Sequence, residues 1–98
     1  MQCSTLRLSI QMRESKIEKD VGDIATRHGW YHRKFTSPAR RSVPDRLFLR
    51  DGVALFVEFK APGKRITKSQ EHEHAKIRTQ GFTVHVIDSV EAGARLFA

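Results

Sequence analysis

The sequence predicts a small mixed α/β domain with a hairpin at the centre of its sheet and helices around it. Three observations carry this. Asp51-Gly52 sits between two apolar runs, the strongest short hairpin signature. A helix-patterned segment, residues 67–80, lies between two strand-like segments and demands a crossover, so the sheet is mixed. The chain has 98 residues, enough for one core and no second domain.

Residues 6–12, Leu6-Arg7-Leu8-Ser9-Ile10-Gln11-Met12, alternate apolar and polar, the period of a strand. From Glu14 to about His28 the pattern turns helical. Ile17, Val21, Ile24 and His28 share one stripe, and Gly29 ends it. Residues 30–35 read as a short strand, and residues 36–43, with Ser, Pro and two Arg, as a basic loop. Residues 46–50 and 53–60 are the hairpin strands. The second begins with an apolar run, which places it centrally. Ala61-Pro62-Gly63-Lys64-Arg65 turns the chain into the helix of residues 67–80, which Gly81 stops. Residues 82–87 form a fourth core strand, and Asp88-Ser89 caps a last helix through Phe97.

Composition narrows the class. No apolar run approaches the roughly 20 residues of a membrane span. The N-terminus lacks a signal peptide's apolar core, and the single Cys3 can make no internal disulfide. A soluble cytoplasmic domain is expected, with a core thin enough to favour an oligomer. The net charge is +7, and all of the excess lies between Trp30 and Lys68, where ten Lys or Arg face three acids. So localised a field suits a polyanion, most simply nucleic acid.

Pro44-Asp45 opens one hairpin strand and Glu58-Phe59-Lys60 closes the other. Pairing about Asp51-Gly52 brings these ends together, and Glu58 and Lys60, two apart, share a face. Two carboxylates and an ammonium therefore meet at one sheet edge, where charge is costly unless paired or metal-bound. The group reads either as a salt bridge at a strand end or as a hard-cation site. In the second reading Asp45 and Glu58 offer oxygens to Mg²⁺ or Mn²⁺, and Lys60 positions or deprotonates a water or neutralises charge. Arg40, Arg41, Lys64, Arg65 and Lys68 are candidate phosphate contacts, and Arg46 faces DNA or merely flanks a strand. His72-Glu73-His74 resembles a metal tract, but positions two apart on a helix point in different directions. His74 and His85 are expected in or near the core, and Trp30, Tyr31 and Phe35 in packing.

Beyond the short motif, an ordered set resembles the virus-type replication-repair nuclease (VRR-NUC) domain of the PD-(D/E)xK superfamily. The set runs Glu14-Ser15-Lys16-Ile17-Glu18-Lys19, Lys34-Phe35-Thr36-Ser37-Pro38, Val43-Pro44-Asp45-Arg46, Phe56-Val57-Glu58-Phe59-Lys60-Ala61-Pro62-Gly63, Gln70 and Gly81-Phe82. It spans about residues 12–90. Ser42 stands where the family often has glycine. Residues 12–98 then form a single domain, and residues 1–11 are an extension: an edge strand, a dimer arm or a cloning extension.

The resemblance implies a restriction-endonuclease-like core and a metal-dependent DNA endonuclease. Asp45 and Glu58 would hold Mg²⁺ or Mn²⁺, joined by a helix glutamate. Glu18 is preferred by analogy with archaeal-type Holliday-junction resolvases. Glu14, one turn earlier, is the weaker candidate because it would start the helix, where an acid merely suits the dipole. Lys60 would assist the attacking water. Gln70 would touch that water or the phosphate, while Thr67-x-x-Gln70 is equally a capping box. A bare domain obtains substrate geometry most easily as a two-fold homodimer, which suits symmetric cutting of a four-way junction. The rivals are a less specific nicking or flap nuclease, a non-catalytic nucleic-acid-binding module, and an RNA-directed activity.

Overall fold

Asp51 and Gly52 both take positive φ, 49° and 80°, as a two-residue type I′ hairpin turn requires. The turn joins β2 (Arg46–Arg50) to β3 (Val53–Phe59), and their antiparallel register pairs Arg46 with Val57 and Arg50 with Val53. In this computed structural model residues 2–35 and 42–98 are described, with side chains from Ser9 onward. The expected basic loop, with Arg40 and Arg41, lies largely outside the described residues. The elements follow as α1 (Gln2–Arg27), β1 (Tyr31–Lys34), β2, β3, α2 (Lys68–Thr79), β4 (Thr83–Ile87) and α3 (Val90–Phe97). The sheet order is β1-β2-β3-β4. β1 is antiparallel to β2, and β4 is parallel to β3 across the α2 crossover. The hairpin is central and the sheet mixed, as the pattern predicts.

One expectation fails. Residues 6–12 are not a strand but part of α1, which starts at Gln2 rather than near Glu14. An alternating run of seven also places Leu6 with Ile10 and Leu8 with Met12, four apart, so it suits a helix face equally. No Gly, Pro, Asn or Asp separates Met12 from Glu14, and nothing therefore stops the helix propagating. The stripe also shifts: Ile17, Val21 and Ala25 are buried, whereas His28 is exposed.

Helix ends follow the punctuation. After α1, Gly29 N–H donates to Thr26 O and Trp30 N–H to Ala25 O, a Schellman motif. Gly81 and Phe82 repeat it on Arg78 and Ile77 after α2. Ser89 caps α3 by accepting from the Ala92 amide.

Strand alternation sends Phe48, Val57, Phe59 and Ile87 to one face, where α1 and α3 cover them with Ile17, Val21, Ala25 and Phe97. α2 packs against β4 and leaves the rest of the other face less covered. No described helix is long and apolar enough to cross a membrane.

α3 packs on α1 with Gly93 against Val21. A Cβ on Gly93 would stand 2.4 Å and 2.7 Å from the two Val21 methyls, which are fully buried and stiff at χ1. Gly93→Ala is therefore expected to destabilise the fold by about 1–3 kcal/mol, a fall in Tm of about 5–20 °C. Thermal unfolding by circular dichroism checks it, and an unchanged Tm would contradict this packing.

Candidate active site

The hairpin register places Asp45 opposite Glu58, one step beyond the Arg46–Val57 pair. Asp45 Oδ2 accepts a 2.7 Å hydrogen bond from the Phe59 amide, which holds the carboxylate at the strand end. Glu58 is the charged end of an otherwise apolar strand and is almost wholly buried, at 3% exposure. Burial, then the neighbouring Asp45 charge and a hydrogen bond to it, push the Glu58 carboxyl up to about 8. Burial also raises Asp45, against the pull of the Phe59 amide. Both carboxyls are thus held above their ordinary range.

α2 supplies Gln70 through its first turn. Thr67 Oγ1 accepts from the Gln70 amide, and Gln70 Oε1 accepts from the Thr67 amide at 2.9 Å: the expected capping box. That bond fixes the side-chain amide, so Gln70 Nε2 turns toward the sheet and donates to Glu58 Oε2 at 3.3 Å. One conformation therefore both caps the helix and brings the Gln70 amide to Glu58. Lys60, half-buried after β3, acts electrostatically on Glu58 and on Glu14.

The two helix glutamates lie in different surroundings. Glu18 Oε2 accepts from Arg46 Nε at 2.7 Å and meets Lys34 Nζ at 3.4 Å. Arg46 and Lys34 point to the α1 face of the sheet, and the core-facing Glu18 is drawn to them. Glu14, one turn nearer the N-terminus, reaches past the sheet end. There the Ala61 amide donates to it, and burial followed by the Asp45 charge raises its carboxyl, with Lys60 opposing. The reason for discounting Glu14 disappears because α1 begins at Gln2, which leaves Glu14 mid-helix.

Arg46 is likewise not an open phosphate contact. Besides Glu18 it donates from Nη1 to His32 Nδ1 at 3.2 Å. An arginine can only donate, so Nδ1 is the acceptor and Nε2 of the neutral ring carries the proton. His32 Nε2 then donates to Thr26 Oγ1 at 3.0 Å, and Thr26 donates to Gly22 O. Burial and the Arg46 charge lower His32, consistent with a neutral ring. Lys64, Arg65 and Lys68 are exposed on the turn and first residue leading into Gln70.

His72 is exposed and His74 fully buried, so the histidine tract is no ligand pair. His85 is half-buried. Phe35 stacks on Phe56 but stays 36% exposed, and Tyr31, under the Arg33 guanidinium, is exposed rather than packed. Among the described residues no group of three or more His, Cys, Asp or Glu is gathered closely enough to hold an ion unaided. The donor set at the sheet end is two carboxylates. That suits Mg²⁺, which takes one or two protein carboxylates and completes its shell with water and substrate phosphate oxygens. Glu58 Oε1 has no hydrogen-bond partner.

Without a cation the crowding of these carboxyls has a measurable signature. Folded Glu58 keeps its proton up to about 8, whereas an ordinary glutamate releases it near 4.5. Between those values the folded state binds more protons, so this group's contribution to stability falls as pH rises. In chelator-treated protein Glu58→Gln is expected to raise Tm at pH 8 by at least about 4 °C, with the gain shrinking toward pH 5. Scanning calorimetry across that range checks this. A gain independent of pH, or a less stable variant at pH 8, would contradict it.

No protein-family model matches the chain. It is similar to "Putative nuclease p44" of Acyrthosiphon pisum secondary endosymbiont phage 1, with 43% identity over 86 residues, covering 87% of this chain and 92% of that protein. Among solved structures it is similar to a "VRR_NUC domain" with a TM-score of 0.78 and 29% identity, covering 86% of this chain and 92% of that one.

Proposed function

The chain belongs to the VRR-NUC nucleases, and from that premise we propose that it is a Mg²⁺- or Mn²⁺-dependent DNA endonuclease that cuts branched DNA as a homodimer. The observation that carries the reading is the convergence of Asp45, Glu58, Lys60 and Gln70 at the end of the hairpin, with Glu14 above them. A structural salt bridge would pair each acid with a base. Here Asp45 and Glu58 lie against each other, and the charges of Lys34 and Lys60 do not offset the burial that raises both carboxyls.

Asp45 and Glu58 would hold the ion, and Glu14, close enough to feel the Asp45 charge, is the helix carboxylate that faces them rather than Glu18. A bound ion supplies activation of water and neutralisation of charge at the scissile phosphate. Lys60 orients the attacking water and stabilises negative charge developing on the phosphate. Gln70, locked by the capping box, holds Glu58 and presents a helix N-terminus, where backbone N–H groups favour a phosphate. Lys64, Arg65 and Lys68 on the approach to that helix provide affinity and register on the DNA backbone. The Glu18–Arg46–His32 network holds β1 and β2 against α1.

The dimer is supported by the sheet face opposite α1. Tyr31, Leu49, Phe35, Phe82 and Val86 are all exposed, and the register places them on one side with Phe56. Apolar exposure gathered on one sheet face suits an interaction surface. A two-fold pair would present two sites to a symmetric junction.

The test is cleavage of a labelled four-way junction beside linear duplex, flap and single strand, with Mg²⁺ or Mn²⁺. Paired symmetric nicks on the junction are expected, with a dimeric mass by sedimentation. Lys60→Ala is expected to lower the rate by about 10²–10⁴-fold. Cutting of flaps or linear DNA instead would retain the nuclease and discard junction resolution. Binding without metal-dependent cutting would leave only a binding module.

The two glutamates are separated by a second expectation. Glu14→Gln lowers cutting at least about tenfold without lowering Tm. Glu18→Gln mainly lowers stability, by about 1–3 kcal/mol, because the partly buried Arg46 loses its charged partner. The reverse pattern in paired kinetic and melting measurements would return the helix carboxylate to Glu18.

A further inference from the structure

His74 is the most deeply buried polar side chain among the described residues, with no exposed surface, and neither ring nitrogen has a hydrogen-bond partner. The apolar core alternative would be cheaper at such a position, since each unsatisfied polar atom carries a desolvation cost. Its Nε2 lies 3.7 Å from Glu58 Oε1, the carboxylate oxygen that is also without a partner. Two orphaned polar atoms thus face each other across a gap slightly longer than a hydrogen bond. His74 and Gln70 are four residues apart on α2, hence on one face of the helix. Gln70 Nε2 donates to the other oxygen, Glu58 Oε2. One helix therefore addresses both oxygens of the same carboxylate.

We propose that His74 is a positioning residue that donates Nε2–H to Glu58 Oε1 and, with Gln70, holds the Glu58 carboxylate in the orientation that receives the cation. This rests on the metal-dependent reading of the site. Hydrogen-bonded partners behind a ligating carboxylate fix its orientation, and their loss lowers metal affinity by about 10–100-fold. The bond is not closed in this arrangement, where the two atoms stand 3.7 Å apart.

The position carries its own diagnostic. A residue kept for packing should be replaceable by leucine at no functional cost, and one kept for orientation should not. His74→Leu removes two unsatisfied buried nitrogens and is expected to keep or raise Tm. It should weaken Mn²⁺ binding, measured by calorimetric titration without DNA, by at least tenfold. His74→Gln, whose side-chain amide can also donate to Glu58, should recover much of that affinity. Equal loss in both variants, or wild-type affinity in His74→Leu, would overturn the proposal.

A second readout needs neither metal nor cutting. In ¹⁵N spectra of the metal-free wild-type protein, His74 should be the neutral ring protonated at Nε2, and Glu58→Gln should move its signals. A ring protonated at Nδ1, or signals indifferent to Glu58→Gln, would overturn the proposal even if the protein binds metal. A wild-type protein that binds no Mn²⁺ while His74 shows the expected tautomer and response would refute the metal-dependent reading and leave the contact standing.

Discussion

The 2.7 Å hydrogen bond from the Phe59 amide to Asp45 Oδ2 is the interaction on which the site depends. It forms because the type I′ turn at Asp51-Gly52 sets the hairpin register, and the register sets Asp45 opposite Glu58. A slip of one residue would turn Glu58 to the α1 face and an apolar neighbour to the site. The apolar packing of Phe48, Val57 and Phe59 under α1 and α3 makes such a slip costly. Core and site thus use alternate residues of the same strand, and the stability of one specifies the geometry of the other.

Around that pair the fold distributes charge by face. On the α1 side Glu18 satisfies Arg46 and Lys34, and His32 and Thr26 extend the network. At the sheet end three acids gather: Lys60 acts on Glu14 and Glu58, and Lys34 on Asp45. Stability selects paired charge in the first place and tolerates strain in the second. Tolerated strain of this kind is characteristic of functional sites.

Local signals in the sequence proved accurate where the chemistry itself is local. Asp51-Gly52, Thr67 with Gln70, Ser89, Gly29 and Gly81 act on backbone groups within four residues, and each appears in the structure as expected. The pairing of Asp45 with Glu58 was legible for the same reason, since counting from a tight turn fixes register. Residues 6–12 were misleading because a short alternating run satisfies both a strand face and an i, i+4 helix pair. That reading had a consequence: a helix expected to begin at Glu14 made Glu14 a dipole acid and weighed against it beside Glu18. The contact of Glu18 with Arg46 spans 28 positions and had no local signal. His74 was legible as a core histidine, while its closeness to Glu58 depends on how α2 crosses the sheet.

The most direct measurement is a calorimetric titration of the wild-type protein with Mn²⁺ at pH 7 in buffers of differing ionisation enthalpy. If the Asp45–Glu58 pair holds a proton until a cation displaces it, binding should release about one proton, and Glu58→Gln should abolish both the release and the tight binding. Binding without proton release, or with undiminished affinity in Glu58→Gln, would mean that the cation is held elsewhere and that the paired carboxylates are not the metal site.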